Sequence, residues 1–340
     1  MADALTPLQM VQGLLQGSAP PRPLFLPIVF SHGARVENLP LRSFLTNATK
    51  ISNAARQIRS HLRADGVTCY FDPLLEAEAL GGVLQWGAEG QQPSLRWARA
   101  VKGELPEGLR APEDVAKGGR VGVAVDVIRR LKAMLRDSCL LITGITGPFT
   151  LAAQLAQLDG AAPLHAEDIP AAALDLASAV TSPLATALVE AGASVVFLRE
   201  EVLPALSAED AADWASRLAP AINIIRFYQA LPVLLLTRKE SVAANAEVIS
   251  SQLWDCVVCP VLEGMAADAP GAYAGLGAAK LGVALPAQAF DPGAPGGAAD
   301  LGEPLRRAMA DWHPSVVTTA GDLVVGADVE RLHKLWENQG

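Results

Sequence analysis

Eight short apolar runs, each of strand length and each followed by a longer segment of helical spacing, constrain this chain more than any other feature. They are Leu24–Phe30, Gly66–Phe71, Leu140–Ile145, Ser194–Leu198, Pro232–Leu236, Asp255–Cys259, Leu281–Pro286 and Ser315–Thr319. The runs are continuous in Val, Leu and Ile rather than alternating with polar residues, which predicts strands covered on both faces, as in a parallel sheet. Helices are predicted over Arg42–Ala64, Gly122–Arg136, Pro170–Ala191, Ala208–Gln229, Val242–Leu253, Ala272–Lys280, Leu301–Trp312 and Ala327–Glu337. Ser207 followed by Glu209 and Asp210 gives one of them a capping hydroxyl and an acidic first turn. Eight strand–helix alternations predict an α/β fold, a single (β/α)8 TIM-type barrel over residues 1–340 with 1–20 as an N-terminal extension. A doubly wound open sheet is the competing architecture. Residues Glu76–Arg120 lie between the second and third strands and read as a long excursion over the barrel mouth, with a short hairpin at Val83–Trp86 and Leu95–Ala98.

Half of the 340 residues are hydrophobic and 19% are charged, so a large core is available, built mainly from Ala, Leu and Val because aromatics are only 5%. The net charge of -9 argues against nucleic acid as a partner, which would require a concentrated basic face. No run of 18 apolar residues occurs, and Met1 to Ser18 lacks a basic flank ahead of an apolar stretch, so neither a membrane span nor a secretory leader is expected. Four scattered cysteines, Cys69, Cys139, Cys256 and Cys259, do not make a disulfide scaffold and fit a reducing cytoplasm. Cys256 and Cys259 form a lone C-x-x-C on a predicted strand. Residues three apart on a strand face opposite sides, so two small core residues are expected rather than a metal site.

In a barrel of this kind the reacting groups stand just beyond the C-terminal ends of the strands. Reading those ends gives His32 and Arg35, Asp72, Thr146 and Gly147, Arg199 with Glu200 and Glu201, Arg238, Gln288 and Asp322. This convergence of sequence-distant charge predicts an enzyme acting on a small molecule. Asp72 is expected to point into the mouth, to orient ligand donors or stabilise a cation, or else to cap the next helix. His32 suits proton transfer, with a buried or surface structural histidine as the alternative. Arg35 and Arg199 are candidates to bind carboxylates in bidentate fashion, or to pair with Asp72, Glu200 or Glu201.

Four stretches add a resemblance: Ser31–Arg35 with Leu39 and Pro40, Phe71–Gly81, Gly147–Ala152, and Val316–Val325. Together they resemble the uroporphyrinogen decarboxylase superfamily, which also includes the corrinoid-dependent methyltransferases, and the likeness covers about residues 20 to 338. It implies a (β/α)8 barrel whose mouth binds a carboxylate-bearing tetrapyrrole or a corrinoid-linked methyl substrate. By resemblance, Arg35 matches a segment that binds substrate carboxylates, and Asp72 matches the residue that holds pyrrole nitrogens. Gln154 stands where the decarboxylases have a tyrosine, and Glu200 and Glu201 where they have an Asp-Ser pair. The histidine expected near Thr319–Gly321 is absent. The methyltransferases' His-x-Cys zinc ligands fall on Leu236–Lys239, and their last cysteine falls around Ala320 and Gly321.

The resulting expectation is a decarboxylase-like enzyme that needs no metal or other cofactor. Asp72 and His32 would be catalytic, with Arg35, Arg199, Glu200, Glu201 and Gln154 binding the substrate. Two alternatives stand beside it. One is a corrinoid-dependent methyltransferase with a corrinoid protein as partner and a carboxylate-built or absent zinc site. The other is a binding protein that has kept the fold without the chemistry. The resemblance also raises a homodimer as an expectation.

Overall fold

Eight parallel strands pair in the order β1-β10-β9-β8-β7-β6-β5-β2, and a separate antiparallel hairpin, β3-β4, stands outside them. The barrel strands are β1 (Leu24–Phe25), β2 (Gly66–Tyr70), β5 (Leu140–Thr146), β6 (Val195–Glu200), β7 (Leu231–Leu236), β8 (Cys256–Pro260), β9 (Leu281–Leu285) and β10 (Val316–Thr319). The hairpin is β3 (Val83–Gln85) and β4 (Ser94–Arg96). This computed structural model describes residues 5–99, 101–160, 164–245, 249, 253–260, 280–294 and 300–338. Each of the eight apolar runs yields one barrel strand, and nearly every strand residue is buried. The fold is a (β/α)8 barrel, and the mouth lies at the C-terminal ends of its strands.

The helices are α1 (Pro7–Leu15), α2 (Gly33–Val36), α3 (Leu41–Phe44), α4 (Ala48–Leu62), α5 (Leu75–Ala79), α6 (Val121–Leu135), α7 (Pro148–Leu155), α8 (Ala171–Glu190), α9 (Ala208–Phe227), α10 (Lys239–Ala244), α11 (Gly302–Trp312) and α12 (Val329–Glu337). Where the spacing predicts one helix over Arg42–Ala64, the chain makes two. Asn47 breaks the run because its side chain accepts the Lys50 N–H and restarts the helix as α4. The predicted Ser207 cap is present, with its hydroxyl accepting from Asp210 N at 3.1 Å. The helix expected over Ala272–Lys280 lies almost wholly outside the described residues, as does part of that over Val242–Leu253. Among the described residues α8 alone is long and apolar enough to cross a membrane, but half of that stretch is buried and it packs between α7 and α9.

The first strand is much shorter than the predicted Leu24–Phe30, and Pro27 is the reason, because it has no N–H to give a ladder. Side chains stitch the seam instead. Thr318 donates to Leu26 O at 2.6 Å, Thr68 donates to Pro27 O at 3.0 Å, and the Ile28 N–H reaches Thr319 Oγ1 at 3.1 Å. Asp65, held by Arg22 at 2.6 Å, accepts the Phe25 N–H and so ties β1 to the start of β2. In the N-terminal segment, α1 starts on a Thr6–Gln9 capping box, packs against β7, and buries Met10, Val11 and Leu14 in the main core. Burial of three such side chains stabilises by roughly 1.5–3 kcal/mol each.

Candidate functional site

Side-chain direction at the mouth follows from strand register. Thr146 pairs with Arg199 and Gly144 with Phe197, so these four share one side of the sheet. Glu200, one residue on, faces the other way. Its carboxylate accepts from Phe149 N at 3.1 Å and Thr150 N at 2.9 Å, open N–H groups at the start of α7, and from the Thr150 hydroxyl at 2.7 Å. It also lies beside Trp214 of the outer helix α9. Glu200 therefore points into the helix layer, and Arg199 points into the barrel. Gly147 is what allows this cap, because a Cβ there would meet the Glu200 carboxyl carbon at 2.3 Å. Burial pushes Glu200 up to about 7, against the pull of its three donors.

Glu76 does a related job across the seam between β2 and β5. The Thr146 N–H lies beyond the last β2 pairing, and Glu76 accepts it at 2.8 Å and the Thr146 hydroxyl at 2.7 Å. Burial raises this carboxyl to about 7 as well. Asp322 is the third of the kind. It accepts from Phe30 N at 2.6 Å and Ser31 N at 3.0 Å, ties the loop after β10 to the loop after β1, and is pushed to about 7 by burial. Gln92, from the excursion, adds a bond of 2.7 Å to Ser31 Oγ, so the excursion is anchored to the neighbouring loop after β1.

Rather than standing free at the rim, Asp72 is enclosed. One carboxylate oxygen takes Arg120 Nη1 at 2.5 Å and the other accepts the Leu74 N–H at 2.9 Å. Arg120 also bonds Glu78 at 2.7 Å and approaches the Tyr70 hydroxyl at 3.3 Å. Side-chain exposure is 3% for Asp72 and 5% for Arg120. Burial pulls the Arg120 pKa down, but the anionic neighbours Asp72 and Glu78 outweigh it and the net shift is upward. Phe71 turns the opposite way, with its ring against Gly144, where any Cβ would come within 2.6 Å. Arg120 was not among the residues read from the sequence. It lies 48 positions from Asp72, at the end of the excursion, and only the return of that loop onto α5 brings the pair together.

His32 and Arg35 sit apart from that cluster. Both line a groove of about 620 Å³ together with Gln57, Ile58 and His61 of α4 and Asp328 to Glu330 at the start of α12. Desolvation, followed by the nearby charge of Arg35, lowers the His32 pKa. Arg35 is exposed. Gln154 donates to Pro73 O at 3.0 Å, and its backbone carbonyl accepts the Trp97 indole at 3.2 Å, so it links α7 to the excursion.

The remaining cluster joins β6 to β7. Arg199 Nη2 contacts Glu201 Oε2 at 2.5 Å, and Arg238 Nη2 lies 3.8 Å from Glu201 Oε1. Arg199 Nη1 and Thr237 Oγ1 are buried without hydrogen-bond partners.

A zinc ion does not fit the described side chains. Among the described residues no three His, Cys, Asp or Glu side chains come together as a ligand set. Thr237 and the cationic Arg238 hold the position after β7, and a guanidinium repels a dication. Cys256 and Cys259 are buried on β8, and burial raises the thiol pKa of Cys69 and Cys256, opposing the thiolate that zinc requires.

Comparison with known proteins agrees with this architecture. The family model for uroporphyrinogen decarboxylase (URO-D) matches residues 8–241, and the chain belongs to this family. Two relatives from Methanosarcina barkeri, one of them strain Fusaro / DSM 804, are described as methylcobamide:CoM methyltransferase MtaA. Each is 27% identical over 127 residues. That match spans 37% of this chain and 37% of the relatives' length. A solved methyltransferase from Methanosarcina mazei superposes with a TM-score of 0.76 at 17% identity, over 98% of each chain, and shares the fold.

Proposed function

We propose that this chain is a methyltransferase that passes a methyl group from a corrinoid protein to a small-molecule acceptor at the barrel mouth. The observation that carries the reading is the closure of Asp72. A carboxylate that must hold several pyrrole N–H groups has to stand open to the mouth, whereas the Asp72 side chain is only 3% exposed and already accepts from Arg120 and the Leu74 N–H. This favours methyl transfer over the decarboxylation implied by the sequence resemblance. The methylcobamide:CoM methyltransferases among the relatives support the same direction.

When docked, a corrinoid would supply a methyl group whose bond to cobalt breaks with the electron pair left on the metal. The acceptor would form the new bond to carbon with its own electron pair and release its proton to solvent. The chain's own contribution is to shape and hold the mouth. Glu76, Glu200 and Asp322 fix the loops after β2, β5, β6 and β10 through backbone N–H groups, so the acceptor meets a preorganised rim. Anaerobic incubation with methylcob(III)alamin and a panel of small thiols tests the proposal. Loss of the methyl–cobalt absorbance with matching thioether formation is the expected result. Release of CO2 from a uroporphyrinogen with no demethylation of the corrinoid would overturn it.

A further inference from the structure

We infer that the groove between α4 and α6, on the outer flank of the barrel, docks an acidic helical segment of a partner protein. It uses none of the residues at the mouth and is independent of the methyl-transfer reading. Residues 48–63 carry four Lys or Arg and no acid, and residues 121–136 carry four against Asp126 alone. So basic a face is set into a chain whose net charge is -9. The helix dipole accounts for basic residues in a last turn. It does not account for Lys50 in the first turn of α4, where an acid is favoured.

The two helices lie side by side and run in the same direction. Arg130 Nη1 donates to Thr49 Oγ1 at 3.2 Å, Arg56 Nη1 reaches Met134 Sδ at 3.8 Å, and Arg59 Nη2 donates to Ser138 O at 3.3 Å. The groove of about 440 Å³ beside them is lined by Arg56 and Arg59, with Asn53, Ser60, Leu135 and Glu37. The Glu37 carboxylate is already taken by Lys50 at 2.8 Å. Among the described residues neither Arg56 nor Arg59 has a salt bridge to an acidic side chain, and Arg59 Nε is buried without a hydrogen-bond partner. A buried donor without a partner is an unmet demand that native proteins rarely leave.

Spacing and an apolar contact select the partner. Arg56, Arg59 and Arg63 stand at i, i+3 and i+7, one row along α4, which a row of Glu at the same spacing on a docked helix can meet. Arg63 is held only by an exposed contact of 3.3 Å with Glu337, which a partner's acid can replace. Met134 is 46% exposed beside Arg56, and Leu135 is half-buried in the groove, so an apolar side chain of the partner finds an adaptable seat. A nucleic acid gains little from that seat, and the net charge of the chain repels its long run of phosphates.

The test is fluorescence anisotropy on the full-length protein with a labelled helical peptide of about 15 residues, matched to the length of α4. The peptide carries one row of Glu at i, i+3 and i+7 beside one row of Leu. Two control peptides carry Gln or Lys in place of the Glu row, and a single-stranded oligouridylate is the nucleic-acid control. The Glu peptide is expected to bind saturably, to weaken as salt is raised, and to bind at least about tenfold more tightly than the Gln peptide. The double variant Arg56→Glu, Arg59→Glu, checked for folding by circular dichroism, should lose the Glu peptide and gain the Lys peptide, a gain that misfolding cannot produce. Met134→Ser should weaken the Glu peptide while leaving its salt dependence unchanged. Equal binding of the Glu and Gln peptides would overturn the inference, as would wild-type affinity in the double variant. So would tighter binding of oligouridylate than of the Glu peptide, or self-association of the protein that the double variant abolishes.

Discussion

Two guanidinium–carboxylate clusters stand on the rim of one barrel, and they are built to opposite ends. On the β2 side, Arg120 is enclosed with Asp72 and Glu78, and each oxygen of the buried Asp72 carboxylate accepts one hydrogen bond. On the β6–β7 side, Arg199 and Arg238 share a half-exposed Glu201 and leave buried donors unmet. The first cluster sets one guanidinium against two carboxylates, leaves Arg120 Nη2 buried without a partner, and locks the excursion onto the barrel. The second lacks one negative charge and is open to a ligand. Residue type alone does not separate the two, since both are arginines facing acids. Exposure does: the Arg120 and Asp72 side chains are 5% and 3% exposed, the Arg199 and Glu201 side chains 13% and 40%.

The largest effect expected from breaking this contrast is on stability. Asp72→Ala leaves Arg120 buried beside Glu78 alone and should cost about 3–5 kcal/mol in chemical denaturation, the range for a buried pair that loses one partner. Arg199→Leu should cost no more than about 1 kcal/mol, because its partner is well exposed. Next comes Gly147→Ala. The new methyl group would press on the Glu200 carboxyl that caps α7, and a loss of about 1–3 kcal/mol is expected by the same measurement.

The cap also predicts a pH dependence. Burial raises Glu76, Glu200 and Asp322 to about 7 in the folded chain, above their ordinary range. A carboxyl with a raised folded pKa contributes stability that is fully present below its unfolded pKa and is lost as pH rises through the folded value. Stability should therefore fall from about pH 4.5 to about pH 7, with a slope of up to about 1.4 kcal/mol per pH unit for each carboxyl. Glu200→Gln should remove one such contribution, visible as a shallower dependence of Tm on pH across that window. An unchanged slope would show that Glu200 stays ionised under its three donors. The smallest effect is expected for Arg238→Gln, whose stability should stay within about 0.5 kcal/mol of wild type in chemical denaturation, because its contact with Glu201 is long and partly exposed.

The barrel was legible in the sequence because its strands are buried on both faces, and continuous Val, Leu and Ile runs record that directly. Its first strand was overestimated because the apolar run continues past Pro27 while the ladder cannot. The helix α7 carried an unread signal, Gly147 followed by Pro148, which places a residue with no N–H where the first helical donor would be idle. The rim was only half legible. Alternation along β6 separates Arg199 from Glu200, and that parity could have been read from the run itself. Nothing local announces Arg120, since its partnership with Asp72 depends on how a 45-residue-scale excursion returns, a property of tertiary packing. His32 and Arg35 follow a strand cut short by proline, so strand-end reasoning did not foretell the groove against α4 and α12 that they line.

Propionate affinity in Asp72→Asn and Arg199→Gln, measured side by side at a temperature where both are folded, tests the contrast between the two clusters most directly. The enclosed-versus-open account predicts wild-type affinity in Asp72→Asn and a loss of about tenfold in Arg199→Gln. Loss of binding in Asp72→Asn with Arg199→Gln unaffected would contradict it and return the ligand to the β2 side of the mouth.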